Sequence, residues 1–294
     1  MKKRSTLSKD VLKKIKLITI KTKRLLRGTM AGDSRSALKG TGFEFDQIRE
    51  YQFGDDVRFI DWKASSRLNN LLVKQYIEER CRTIILAVDV SASGIMGSEN
   101  SLKRDIFAEV ASILTLVTAA GKDRVGLILF TDEIETYIPP ARGLNHAHLI
   151  MQKLYSHEPT RRTTNVSAPL KKLAQYKQKD AITFLISDFI DTNIDPKLLG
   201  HVAQKHELYA IRCLDLNEKK LENFGFIPIE DSETGEQSLL DTRHANGAIN
   251  SYLTERLQEQ SKLFKKKGVR LLEIANNHTF MNDLVRFFKR RMQY

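Results

Sequence analysis

From about residue 70 onward two hydrophobic periods alternate along this chain. Short, nearly unbroken apolar runs at residues 84–88, 124–130, 179–188, 207–213 and 269–274 are bounded by polar turns, the pattern of strands buried on both faces. Between them, apolar residues recur every three to four positions. The clearest such stretch is 102–120, where Ile106, Phe107, Val110, Ile113, Leu114 and Val117 share one helical face and call for a sheet to pack on. Further helices are predicted at 146–157, at 165–176 with Pro169 in its early part, at 196–205, at 248–267, and at 280–292, which is basic. Residues 134–138 read as an antiparallel return at the sheet edge, stopped by Pro139-Pro140. Strands that alternate with helices in this way predict an α/β fold, a mainly parallel sheet with right-handed crossovers.

Ahead of this region the pattern changes. Residues 8–27 predict a helix with Ser8 as N-cap and Val11, Leu12, Ile15, Ile18, Leu25 and Leu26 near helical spacing, while lysine and arginine fill most other positions. Residues 40–80 are dense in opposite charges and aromatics, including the only tryptophan, Trp62. Arg49, Arg58 and Arg67 lie close in sequence to Asp55, Asp56 and Asp61, so an ion-pair network locking this segment onto the domain is expected. Asn69-Asn70 marks a turn, and 71–77 alternates like a strand, expected to form a hairpin with the run at 84–88. Residues 215–242 interrupt the later alternation and gather acidic side chains such as Glu222, Glu230, Asp231 and Glu233. They read as a small β-rich insertion around a turn at Thr234-Gly235. The expected organisation is therefore an N-terminal region, 1–80, followed by a sheet domain, 81–294, carrying the insertion at 215–242.

Composition narrows the class. With 41% hydrophobic and 29% charged residues over 294 positions, the chain is long enough and apolar enough to bury a sizeable core. Two cysteines, Cys81 and Cys213, allow no disulfide framework and fit a reducing cytoplasm. No apolar run approaches the ~18 residues of a membrane span. Lys13, Lys14 and Lys16 interrupt what would be the apolar region of a signal peptide, so the chain is expected to stay in the cytoplasm. The net charge of +12 is concentrated: residues 1–40 hold thirteen Lys or Arg against Asp10 and Asp33. That arm, residues 1–27 in particular, suits an anionic membrane surface or an acidic partner, which would make the protein peripheral at the inner membrane. Nucleic acid is not expected as a partner, because no aromatic stacking platform, zinc finger or spread basic surface accompanies the charge.

Candidate chemistry sits at the end of the first central run. Asp89, Ser91 and Ser93 form D-x-S-x-S, one carboxylate and two hydroxyls that are hard oxygen donors suited to Mg²⁺ or Mn²⁺. An ordinary strand-to-helix turn with capping serines would look the same. Two later segments bear on the choice: Asp188 ends the run at 179–188, and R-R-T-T-N at 161–165 places Thr163 and Thr164 just before a helical pattern. Together these resemble the metal-ion-dependent adhesion site of von Willebrand factor A domains. The segment at 40–80 resembles the signature of the bacterial family called domain of unknown function 58, whose members join it to a von Willebrand A-like domain. The matching pieces are Gly42, Glu44, Phe45 and Arg49, G-D-D-V-R at 54–58, I-D-W at 60–62, Ser66-Arg67, E-E-R at 78–80, and later Thr131-Asp132, Pro139-Pro140 and S-D-F at 187–189.

The resemblance implies a Rossmann-like, von Willebrand A-like sheet of order 3-2-1-4-5-6 with an N-terminal helical and hairpin extension. It implies that Ser91 and Ser93 coordinate the ion directly, that Thr164 (or Thr163) completes the loop contribution, and that Asp89 and Asp188 bind directly or through water. Two aspartates at one crevice would repel each other unless a cation sat between them. One coordination position would remain for an acidic side chain of a client protein. The resemblance further implies a MoxR-type AAA+ ATPase as partner in chaperone-like assembly or activation. Enzymatic alternatives find less support: a phosphatase-like hydrolase using Asp89 would need a second aspartate where Ser91 stands, and neither a G-x-S-x-G elbow nor a P-loop occurs. A membrane-surface scaffold acting through the basic helix is the other alternative. The expected function is a non-enzymatic, metal-dependent protein-binding module.

Overall fold

The computed structural model describes residues 9–30, 43–68, 70–78, 81–95, 97–98, 101–190, 194–214, 225–230 and 237–275. Ser8, the turn at Thr234-Gly235 and the helix predicted at 280–292 lie outside the described residues. In chain order the elements are α1 (Lys9–Met30), β1 (Phe43–Glu50), α2 (Trp62–Leu68), β2 (Leu72–Glu78), β3 (Thr83–Asp89), β4 (Gly97–Ser98), β5 (Ser101–Leu102), α3 (Lys103–Ala120), β6 (Arg124–Phe130), β7 (Ile134–Ala141) and α4 (Leu144–Ser156). They continue with α5 (Ser167–Gln175), β8 (Ile182–Ser187), α6 (Pro196–Lys205), β9 (Glu207–Leu214), β10 (Phe226–Glu230), β11 (Gln237–Asp241), α7 (Thr242–Lys266) and β12 (Arg270–Ala275). Two compact units result, one from Met1–Leu26 with Arg82–Tyr294, the other from Arg27–Cys81.

In the larger unit a six-stranded sheet has the order β12-β9-β8-β3-β6-β7, with β7 alone antiparallel to its neighbour. Counted within the sheet, β3, β6, β7, β8, β9 and β12 are strands one to six, so the spatial order is 3-2-1-4-5-6, as expected. The unbroken apolar runs are explained by burial on both sides. Ile84, Leu86 and Val88 of β3 face one core together with residues of α3, α4 and α1, whereas Ile85 and Ala87 face a second core with Leu170 of α5, Leu199 of α6 and Phe264 of α7. Helix α1 enters the first core through Ile15 and Ile18, and its Lys14 pairs with Asp105 of α3 at 2.9 Å.

Three expectations change at element ends. Strand β7 runs on through Pro139 and Pro140 instead of stopping there. An edge strand tolerates missing N–H donors, and Gly126 of β6 makes room: a Cβ at that position would lie 2.8 Å from Pro140 Cγ. Helix α7 starts at Thr242, earlier than residue 248, because Asp241 at the end of the β10–β11 hairpin caps it by accepting from Arg243 N at 3.1 Å. Strand β2 does not form a hairpin with β3. It pairs antiparallel with β1, and β3, hydrogen-bonded to β6 on one side and β8 on the other, has no open edge to offer.

In the smaller unit Asp55, Asp56 and Asp61 pair with basic side chains of the segment itself. Arg49 grips Asp55 with two bonds of 2.7 Å, and Arg58 holds Asp56 at 2.6 Å, pushing its carboxyl down to about 2. Asp61 departs from expectation. It caps α2 by accepting from Lys63 N and Ala64 N and pairs with Lys74 at 3.2 Å, not with Arg67.

Candidate metal centre

Strands one and four are adjacent although their connections leave in opposite directions, and the carboxyl ends of two such strands are the place where open α/β sheets bind ligands. Asp89 ends β3 and Asp188 follows β8 directly. Asp89, 1% exposed, accepts from Ser91 N at 2.9 Å through Oδ1 and from Ser187 Oγ at 2.7 Å through Oδ2. The chain then turns in a short 3-10 segment, Ala92–Ile95, which brings the Ser91 and Ser93 hydroxyls to 3.1 Å from each other. Burial foremost, then the negative charge of Asp188, pushes the Asp89 carboxyl up to about 7.

The threonine loop is brought to the same edge by backbone bonds. Ala92 N donates to Arg162 O at 2.9 Å, and Asn165 N donates to Thr131 O at 3.0 Å, beyond the end of β6. Thr164 is half-buried and Thr163 exposed. Beneath the loop lies a buried carboxylate that sequence reasoning did not single out. Glu135 of β7 accepts from His157 Nε2 at 2.7 Å, Thr160 N at 3.0 Å, Thr131 Oγ1 at 3.1 Å and Arg161 N at 3.2 Å. A charged residue in an edge strand beside a hydrophobic sheet is the signal that could have pointed to it. Arg104 completes the anchor by donating to His157 O.

A second residue was missed, and it changes the electrostatics. Lys103, the first residue of α3, is 2% exposed and places Nζ 3.0 Å from Asp188 Oδ2. The two aspartates were expected to need a cation between them, and at Asp188 a cation is present as a lysine of the chain itself. Asp188 is itself only 3% exposed, so it does not line an open crevice. Its backbone surroundings are held unusually: Phe189 has φ 55°, the left-handed region, which is costly for a residue with a Cβ. The conformation is stabilised by the Phe189 ring standing edge-on to Phe264 at 5.3 Å, by Phe189 N donating to Ser187 Oγ and by Gln260 donating to Phe189 O.

By donor type, two carboxylates and the Ser91 and Ser93 hydroxyls fit Mg²⁺ or Mn²⁺. The fit is qualified at Asp188, where the ammonium of Lys103 already sits on one oxygen. Among the described residues there is no group of three or more His, Cys, Asp or Glu side chains that could hold a metal, so a site for a thiolate- or imidazole-loving ion is not formed there.

A mostly parallel six-stranded sheet in this order, flanked by helices on both faces, is an α/β fold of the von Willebrand A-like kind expected from the sequence, and the D-x-S-x-S turn stands at its carboxyl edge. Within that class the chain belongs to the family described as "Protein of unknown function DUF58", which it matches over residues 47–261. It is similar to the uncharacterized protein Rv1480 of Mycobacterium tuberculosis, with 26% identity over 281 residues, 94% of this chain and 88% of the relative. A shorter similarity, 23% over 129 residues, links 43% of it to 76% of the uncharacterized protein MAV169 of Mycobacterium avium. Among solved structures it is similar to the conserved hypothetical protein BatB from Bacteroides thetaiotaomicron, with TM-score 0.49 and 13% identity over 72% of this chain and 100% of the other. The SpRpn10 VWA domain gives TM-score 0.39 and 10% identity over 71% and 95%.

Proposed function

We propose that this protein is a non-enzymatic protein-binding module that docks its partners at the carboxyl edge of the sheet. The observation that supports this best is the convergence of Asp89, Ser91, Ser93 and Asp188 at the point where the strand order reverses, with Thr164 on a loop tied to the same turn. In this reading Mg²⁺ or Mn²⁺ is held by those residues. When bound, the ion supplies a coordination position for an acidic side chain of a client protein. The protein itself orients that position through the Asp89–Ser187 and Ser91–Ser93 bonds. A MoxR-type AAA+ ATPase is the partner this reading assigns, in a cytoplasmic, chaperone-like assembly or activation system. Among the described residues no helix is long and apolar enough to cross a membrane, and attachment at the inner membrane is assigned to the basic residues of the N-terminal arm.

The test is capture of partners from native lysate by wild type and Ser91→Ala, with Mg²⁺ or with EDTA. Capture of an AAA+ ATPase that needs Mg²⁺ and Ser91 is the expected result. Capture indifferent to both would remove metal from the reading. Phosphatase or esterase turnover in Mg²⁺ that Asp89→Ala abolishes would replace the binding-module reading with a hydrolase.

A further inference from the structure

Lysine is an unlikely choice for the position it holds here. The first turn of a helix carries partial positive charge, which disfavours a cation, and an ammonium is rarely buried because it must give up its water. Yet Lys103 opens α3, is 2% exposed and has its Nζ 3.0 Å from Asp188 Oδ2. Helix stability does not explain it. What explains it is Asp188, a buried carboxylate next to the carboxyl edge that needs positive charge within reach.

We propose that Lys103 is the resident cation at the carboxyl edge of the sheet, and that its ammonium and a divalent ion occupy Asp188 in alternation. The inference rests on the metal reading above and adds its regulation. With Lys103 in place, the charge of Asp188 is already compensated and an incoming Mg²⁺ or Mn²⁺ meets a like charge within a few ångströms of its ligands. The divalent ion therefore binds weakly until Lys103 withdraws. Withdrawal acts on the N-terminus of α3, which follows directly on β5 and packs on the 3-10 turn after Ser91, where a Cβ on Gly94 would lie 3.4 Å from Arg104 Cβ. Metal loading and the conformation of that edge are thus coupled through one side chain.

The experiment titrates Mn²⁺ into full-length wild type, Lys103→Met and the double variant Lys103→Met/Asp188→Asn, counting free Mn²⁺ by electron paramagnetic resonance. Melting curves in EDTA and in Mn²⁺ accompany each titration. Lys103→Met keeps the apolar stem and removes the charge, so it should bind Mn²⁺ on the order of tenfold or more tighter than wild type. Its melting temperature, lowered in EDTA, should be restored by Mn²⁺. The double variant should fold in EDTA and show no gain in affinity. Equal or tighter binding by wild type would overturn the role of Lys103 and leave the metal reading standing. No binding by any of the proteins would overturn both. A Lys103→Met protein that stays unfolded in Mn²⁺ while the double variant folds would also overturn the proposal, because the ion would have failed to take the place of the ammonium.

Discussion

His157 Nε2 meets Glu135 Oε2 at 2.7 Å, joining the end of α4 to the edge strand β7. Burial, the largest influence, holds the His157 pKa below its ordinary 6.5 despite the opposing pull of Glu135. Burial also works against the Glu135 charge, but bonds from His157, Thr160, Thr131 and Arg161 outweigh it and hold that carboxyl below 4.5. Both groups therefore take up protons more readily in the unfolded chain. The contribution of this pair to stability should be full above about pH 7, fall as pH drops below 6.5 through His157, and fall further below 4.5 through Glu135, while Asp89, with its carboxyl pushed up to about 7, works in the opposite direction between about pH 4 and 7. His157→Gln retains a donor for Glu135 and should flatten part of the decline between pH 7 and 5 in urea denaturation. A residual slope should remain, because burial also lowers the pKa of His206. An unchanged slope in His157→Gln would show that the ring is not the proton acceptor.

The Lys103–Asp188 pair carries a prediction about folding. Asp188→Ala in EDTA leaves a buried ammonium without this carboxylate, and breaking a buried pair from one side costs about 3–5 kcal/mol. Asp188→Ala/Lys103→Met removes both charges and should recover most of that loss. Chemical denaturation of the two variants decides it. An Asp188→Ala protein as stable as wild type would mean that the pair contributes nothing to the fold.

Helix α1 should prove a structural element as well as a basic one. Ile18 is 4% exposed and sits in the first core, so Ile18→Ala should cost about 2–5 kcal/mol. Leu17, 54% exposed, should change stability by no more than about 0.5 kcal/mol when replaced by alanine. Thermal melts of both variants make the comparison, and equal effects would show that the helix does not dock through Ile18. Lys13 and Lys16 are exposed and stay available to an anionic surface in the docked helix.

Gly126→Ala tests the close approach of β6 to the proline pair. The added Cβ would lie 2.8 Å from Pro140 Cγ, and overpacking of this kind costs about 1–3 kcal/mol. Gly126→Ala/Pro140→Ala should regain most of it. Failure of the second substitution to rescue the first, measured by thermal melts, would place the strain elsewhere.

The sequence by itself determined the layered architecture, because burial on both faces marks each strand of the sheet. Residues such as Ile84 to Val88 must be apolar at every position, and the helices between them must be apolar on one face only, so strands, helices and a mainly parallel sheet follow from the local pattern, whereas the strand order came from the family resemblance. The D-x-S-x-S turn and Asp188 were legible for the same reason: polar groups directly after such runs have to stand at the strand ends. Tertiary structure alone decided which groups meet there. Nothing in the local pattern separates Lys103, which is buried, from Lys13 or Lys16, which are exposed, and nothing near Glu135 announces that His157 and Thr160 will close over it. The partner of β2 was likewise undecided until β6 and β8 had taken both edges of β3. Long-range pairing is set by which edges and charges remain unsatisfied once the core has formed, and that is a property of the assembled fold, not of any stretch of chain.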